Sequence, residues 1–289
     1  MSWDELKTIT SYLDPRNDVV ALLGGEPTLH SDFQAIVKWI LDQGFKIKIF
    51  TNGCTAKLRT IHEYCREGFI SIILNLNMPD TYNKEEWKQI EKNCQTFGQE
   101  IALSYNIFEP NFTWKHTKEA IVNWDLSHNI RIGLTQPIKG INNAFLSEED
   151  FPVACSRLVE MAEDFAEMGV CLGFDCGFRP CAFTSDQLAT LAQCGTKFCF
   201  ACSPVIDIGP DLMVWRCFPF SVDQGVKLTD FASMRELEVY FTTKWKPLQD
   251  KGNTDACSTC NNLEISSCAG GCLSRTFKKF EFLQTINPE

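Results

Sequence analysis

The feature that most constrains this chain is an alternation of six short, largely apolar runs with stretches of helical periodicity. The runs are Val19 to Leu23, Ile47 to Phe50, Ile70 to Leu74, Ile101 to Tyr105, Ile130 to Leu134 and Val170 to Phe174. Runs this apolar suit parallel strands buried beneath crossover helices. After the first run, Phe33, Ile36, Val37, Ile40 and Leu41 fall on one helical face, and Gly44 stands where that helix should end. Repeated strand-helix units imply right-handed crossovers, which suit either a barrel or an open doubly wound sheet. Periodicity does not choose between these.

With 289 residues, 44% of them hydrophobic, the chain can bury one large core and a smaller one. Eight of its fifteen cysteines fall between Cys194 and Cys272, so we expect a first domain over 1–193 and a cysteine-rich one over 194–289. The net charge of -10 argues against a nucleic-acid partner, which usually demands a basic stripe. No run approaches the roughly 20 apolar residues that span a bilayer, and MSWDELKTIT lacks the features of a signal peptide. A soluble, cytoplasmic protein without a membrane partner is the expectation. In that setting many cysteines point to metal or redox chemistry.

Polar or special residues appear wherever an apolar run stops: Gly24, Gly25, Glu26 and Pro27; Thr51, Asn52 and Gly53; Asn75 and Asn77; Asn106; Gln136; Asp175. Ligands of parallel α/β folds bind at the carboxyl ends of the strands, so these residues should line one mouth. A single Asn or Asp is also an ordinary turn former. His30, after the GGEPTL turn, reads as a helix-entry residue, and Glu148, Glu149 and Asp150 suit a helix start.

Cysteine spacing carries the sharpest signal. Cys257 and Cys260 form CxxC, and Cys268 and Cys272 form CxxxC. Upstream lie Cys194, Cys199 and Cys202, then Cys217 after a segment that reads as a hairpin turning near Gly209 to Asp211. Four converging thiolates select zinc or an iron-sulfur cluster. Cys176 and Cys181, in DCGFRPC, either supply a further ligand or remain free thiols near the mouth. Cys54, Cys65, Cys94 and Cys155 are isolated and read as small buried hydrophobes.

The segment LLGGEPTLHSDFQAIVKWILDQGFKIKIFTNG resembles the second and third strand units of radical S-adenosylmethionine (radical SAM) proteins, and ILNLNMP, LSYNIFEP and IRIGLTQPIKG extend the likeness coarsely. The cysteine-rich half is similar to the SPASM extension of peptide-modifying members, chiefly in the Cys202 to Cys217 gap and the SCAGGC run. The resemblance implies an α/β fold: a partial (β/α)6-type TIM-like barrel missing its first strand, with a small cysteine-rich α+β extension.

It also implies S-adenosylmethionine as cofactor, contacted at its methionyl amino group by Gly24, Gly25, Glu26 and Pro27, with Asn52, Asn106 and Gln136 as further candidates. Auxiliary [4Fe-4S] clusters would use Cys202, Cys217 and Cys272 with Cys199 or Cys194, and Cys257, Cys260 and Cys268 with a fourth ligand unassigned. A peptide or protein substrate and an electron donor are the implied partners. The family's CxxxCxxC loop is absent before Gly24, and residues 2–14 read as the helix that follows it. A start at an internal Met, which we favour, a truncated chain, or a natural protein that has lost catalysis would each explain this, and we expect an unpaired apolar edge at the first strand and no radical chemistry by this polypeptide alone. The rival is a non-catalytic peptide-binding or scaffold protein with structural zinc in its C-terminal cysteines.

Overall fold

The structure, a computed structural model, describes residues 1–202, 205–222 and 225–286, with backbone only for 281–286. Residues 287–289, assigned above to the second domain, lie outside the described residues. Helix α1 (Trp3–Ser11) precedes β1 (Val19–Leu22), and then helices and strands alternate. They are α2 (Phe33–Asp42), β2 (Lys46–Thr51), α3 (His62–Arg66), β3 (Ile70–Asn75), α4 (Lys84–Phe97), β4 (Ile101–Ile107), α5 (Lys115–Trp124), β5 (Asn129–Leu134), α6 (Phe151–Ala166), β6 (Cys171–Phe174) and α7 (Ser185–Gln193).

The six strands form one parallel sheet in the order β1-β2-β3-β4-β5-β6. That order settles what periodicity left open. A doubly wound sheet reverses direction at a switch point, whereas here every crossover steps the same way. With one handedness of crossover, all connecting helices then fall on one face, as in a barrel. Among the described residues β1 and β6 each have one strand neighbour, so the sheet is an open arc of the barrel type.

The helix-facing side of the sheet is the core. Ile47 and Ile49 of β2, Ile72 and Leu74 of β3, and Ile130 and Ile132 of β5 are at most 1% exposed, and each such side chain contributes about 1.5–3 kcal/mol. Helix α2 adds Phe33, Val37 and Ile40, and Gly44 follows it in the left-handed region at φ +88°. Helices α4 and α7 start in capping boxes, Asn83 with Glu86 and Thr184 with Gln187, which satisfy their first N–H groups.

The opposite face departs from the sequence expectation of strands buried on both sides. Across neighbouring strands the register lines up Ala21, Lys48 and Ser71, then Asn75, Ser104 and Arg131. Lys48 and Ser71 are exposed and Arg131 is half-buried, so the inner face is polar and open. Short runs hide this alternation because Phe50, Ile73 and Ala102 share that face.

After α7 come the short antiparallel strands β7 (Asp207–Ile208), β8 (Met213–Trp215) and β9 (Val226–Lys227), then α8 (Met234–Gln249), α9 (Asn261–Glu264) and α10 (Leu273–Ile286). The hairpin expected near Gly209 is β7-β8, closed by Gly209 N–H donating to the Met213 carbonyl. Strand β9 was not expected. A small second core of Val214, Leu228, Leu237 and Phe241 is completed by Ile9 of α1, whose Leu6 belongs to the large core. Tyr12, after α1, donates to the Phe231 carbonyl and ties the two parts together.

Candidate functional site

At the exit of β1, Gly24 and Gly25 have φ of +88° and +52°, a region that favours glycine. A Cβ on either would meet no atom within 4 Å, so this backbone is open to a ligand. Glu26 caps the short turn Pro27–Leu29. Its Oε1 accepts from Thr28 N–H (3.1 Å), Thr28 Oγ1 (2.6 Å) and Thr51 Oγ1 (2.8 Å), and its Oε2 accepts from Asn52 N–H (2.7 Å). The carboxylate thus clamps the ends of β1 and β2 together. Of these four bonds only one falls on Oε2, so that oxygen keeps room for a further donor. Asn52 uses its own carbonyl oxygen to cap Cys54 N–H at 2.9 Å.

Arg131 lies across the inner face. It donates to Ser104 Oγ (2.8 Å) and weakly to Asn106 Oδ1 (3.4 Å), and it pairs with Asp175 beyond the end of β6. An arginine inside an otherwise apolar run was the available signal for this residue, and sequence reasoning passed over it. At the β3 exit Tyr82 OH accepts from Asn77 N–H, while Asn75 Oδ1 is buried without a partner among the described residues. Gln136 faces away from β1 toward the extension. Its Oε1 accepts from Arg275 Nε at 2.8 Å, and its buried Nε2 has no partner among the described residues.

The cysteines of the second half, with two from the β6 exit loop, fall into two groups. The first contains Cys176, Cys199, Cys202, Cys217 and Cys272. Burial pushes the Cys176 thiol up to about 12, reinforced by Asp175 and then by Cys272, Cys202 and Cys199. Burial also raises Cys217, with Cys272, Cys202 and Cys176 adding to it. Cys272 is fully enclosed at the start of α10 and is pushed up to about 11 by burial and Cys202; N–H bonds from Ser274 and Arg275 oppose the rise. Those N–H groups belong to the first turn of the helix, whose positive end favours a thiolate. Next to Cys176, Gly177 brings the loop against Cys272: a Cβ there would lie 3.5 Å from the Cys272 Cβ and 2.5 Å from Gln136 Nε2.

The second group is Cys257, Cys260, Cys268 and Cys181, which together line a hollow with about 290 Å3 of atom-free space, its mouth included. Arg179, Pro180, Asn262, Leu263 and Gly270 complete its wall. Gly270 N–H points at Cys268 Sγ (3.3 Å), and Thr254 Oγ1 meets Cys257 Sγ at 3.4 Å. Although Cys268 and Cys272 are close in sequence, they belong to different groups.

Three arginines, Arg179, Arg216 and Arg275, are 5%, 3% and 7% exposed, and each lies beside these thiols. Arg179 pairs with Glu148. Among the described residues Arg216 and Arg275 have no carboxylate within ion-pair distance, and Arg179 Nε and Arg216 Nη1 have no hydrogen-bond partner. Buried cations need compensating negative charge, which thiolates or an anionic cluster provide.

All nine donors are soft sulfurs, the set that takes zinc or iron-sulfur. Among the described residues no three His, Cys, Asp or Glu side chains stand close enough to ligate one metal ion.

Cys194 belongs to neither group. It follows α7, packs against the large core and has Glu163 as its charged neighbour. His30 accepts from Asp32 N–H at the entry of α2, and Asp150 caps Ser147 N–H rather than its own helix. Cys65, Cys94 and Cys155 are core side chains whose thiols burial pushes up to about 12.

No protein-family model matches the chain. A 36-residue stretch is 58% identical to an S-adenosylmethionine-dependent nucleotide dehydratase of Selenomonas ruminantium, covering 12% of this chain and 13% of that enzyme. Native anSMEcpe with bound AdoMet and Cp18Cys peptide is similar with a TM-score of 0.61 at 17% identity, over 94% of this chain and 81% of that one. Streptococcus suis SuiB bound to S-adenosylmethionine is similar with a TM-score of 0.59 at 16% identity, over 88% of this chain and 61% of that one. The chain therefore shares the fold of proteins solved with S-adenosylmethionine bound, the α/β fold that the resemblance to radical SAM proteins implies.

Proposed function

We propose that this chain is a radical SAM-type iron-sulfur protein, a barrel with an auxiliary-cluster extension, that acts in modifying a peptide or protein. The observation that carries the proposal is the gathering of cysteines into two groups faced by three buried arginines. Four thiolates leave a net negative centre around either one Zn2+ or a [4Fe-4S]2+ core, so the arginines support a thiolate-bound centre, and the SPASM-like order of the cysteines favours iron-sulfur over zinc. The division at residue 193 into barrel and extension follows the same reading.

In this reading Cys199, Cys202, Cys217 and Cys272, with Cys176 beside them, hold one cluster, and Cys257, Cys260 and Cys268 begin the other. Cys194 is left out. Bound iron-sulfur clusters supply one-electron transfer, and an external electron donor follows from that. The open Gly24-Gly25 backbone and the spare position on Glu26 Oε2 suit the ammonium and carboxylate of an amino-acid group, here the methionyl end of S-adenosylmethionine. Ser104, Asn106 and the Arg131-Asp175 pair give the inner face polar contacts for the rest of that ligand or for substrate. The anSMEcpe complex with Cp18Cys peptide supports a peptide substrate.

Metal content and S-adenosylmethionine binding of the anaerobically prepared chain test the proposal. Iron with matching acid-labile sulfide, and saturable binding that Glu26→Ala weakens, are expected. Stoichiometric zinc without sulfide would support the structural-zinc alternative instead. These 289 residues hold no CxxxCxxC, so the reading expects binding without cleavage by this polypeptide.

A further inference from the structure

We infer that Cys181 is the fourth thiolate of the second group, so that its cluster is ligated entirely by protein and anchored to the barrel. The inference rests on the iron-sulfur reading of the cysteines. Nothing in the spacing of Cys257, Cys260 and Cys268 points to Cys181, which lies on the far side of α7 and the three-stranded sheet in sequence. The fold brings it to them. Cys181 lines the same hollow as the other three sulfurs, and among the described residues no other cysteine does.

The loop that carries it is fixed at both ends, by Phe178 before Cys181 and Phe183 after it, each stacked on Phe174. Phe178 is 2% exposed and stacks on Phe174 of β6 with ring centroids 4.1 Å apart. Arg179 is held by Glu148 and lies over the Phe151 ring. Pro180 then opens the turn Pro180–Ala182, which presents Cys181. One short segment thus sends Cys176 to the first group and Cys181 to the second, so both groups meet the barrel through the exit of β6.

Cys181 is exposed while Cys257 and Cys268 are buried, which places it at the rim of the hollow, where the last ligand closes over a bound cluster. On ligation each thiol gives up its proton to solvent, leaving four thiolates whose negative charge the Arg179 guanidinium partly offsets. A cluster with all four irons held by cysteine has no open position for substrate or water. Its role is then electron transfer or bracing of the extension, and a substrate must bind elsewhere.

The test uses the full chain, reconstituted anaerobically with iron and sulfide. Wild type is expected to hold about eight irons. Cys181→Ala should lose at least one iron and acquire the electron paramagnetic resonance signal of a three-iron cluster, or lose that cluster whole. Cys181→Ser should keep its irons with a shifted spectrum, and Cys194→Ser should match wild type. Alkylation needs no variant: Cys181 should react in the iron-free chain and be protected in the loaded one. An unchanged iron count and spectrum in Cys181→Ala, or equal labelling of Cys181 in both states, would overturn the inference alone. A wild-type chain that takes up no iron overturns the iron-sulfur reading and this inference with it.

Discussion

In the barrel, strands of four to seven residues bury a continuous core, whereas the extension has strands of two or three residues and few fully buried apolar side chains. The extension has too little core to fold alone, and small domains of that kind usually depend on metal or cross-links. Its thiols, buried arginines and contacts to α1 and the β5 exit replace the missing core. Ser274 donating to the Pro137 carbonyl and Arg275 bonded to Gln136 and Leu146 show how much of that docking is polar.

The largest expected effect separates the two regions by metal. Stripping iron from the loaded chain should raise amide exchange across 205–272 by several kcal/mol of lost protection and leave β2 to β5 unchanged. Equal protection in both regions would break the comparison. Next, Cys272→Ala should remove the first cluster, lowering iron from about eight to about four per chain, because its thiol is buried beside Cys202, Cys176 and Cys217. Iron counting checks this.

A barrel mutation should do the reverse. Glu26→Gln keeps the side-chain shape but removes the charge from four hydrogen bonds, so chemical denaturation should show a loss of roughly 1–3 kcal/mol. S-adenosylmethionine affinity should fall at least about tenfold, with iron content unchanged.

The smallest effect is a pH dependence confined to the extension. Burial raises Asp207, in β7, to about 6. Its protonated form therefore favours the fold: this contribution is full below about pH 4 and is lost as pH rises through about 6, for roughly 1–3 kcal/mol. Asp207→Asn should flatten that slope relative to wild type in denaturation at pH 4.5 and 7. An identical slope would remove Asp207 from the account.

The six strands were legible because each apolar run carries its own helix-facing core. The polar inner face was not, since Phe50, Ile73 and Ala102 interrupt the alternation and Arg131 stands alone in its run. Winding direction was absent from the periodicity, and only the resemblance to radical SAM proteins implied the sequential, barrel-type order of the sheet. CxxC and CxxxC spacing announced thiol chemistry, and the SPASM-like order already divided Cys268 from Cys272, yet the place of Cys181 depends on how the β6 exit meets the extension. Gln136 looked like a mouth residue by position, and its bond to Arg275 arises only when the extension docks. Likewise Ile9 of α1 completes a core that lies more than 200 residues away in sequence.

Native mass spectrometry of the anaerobically reconstituted chain tests the central claim most directly, because it counts clusters and identifies metal in one measurement. The account predicts two four-iron clusters on one chain. A single cluster, or zinc in place of iron and sulfide, would contradict it.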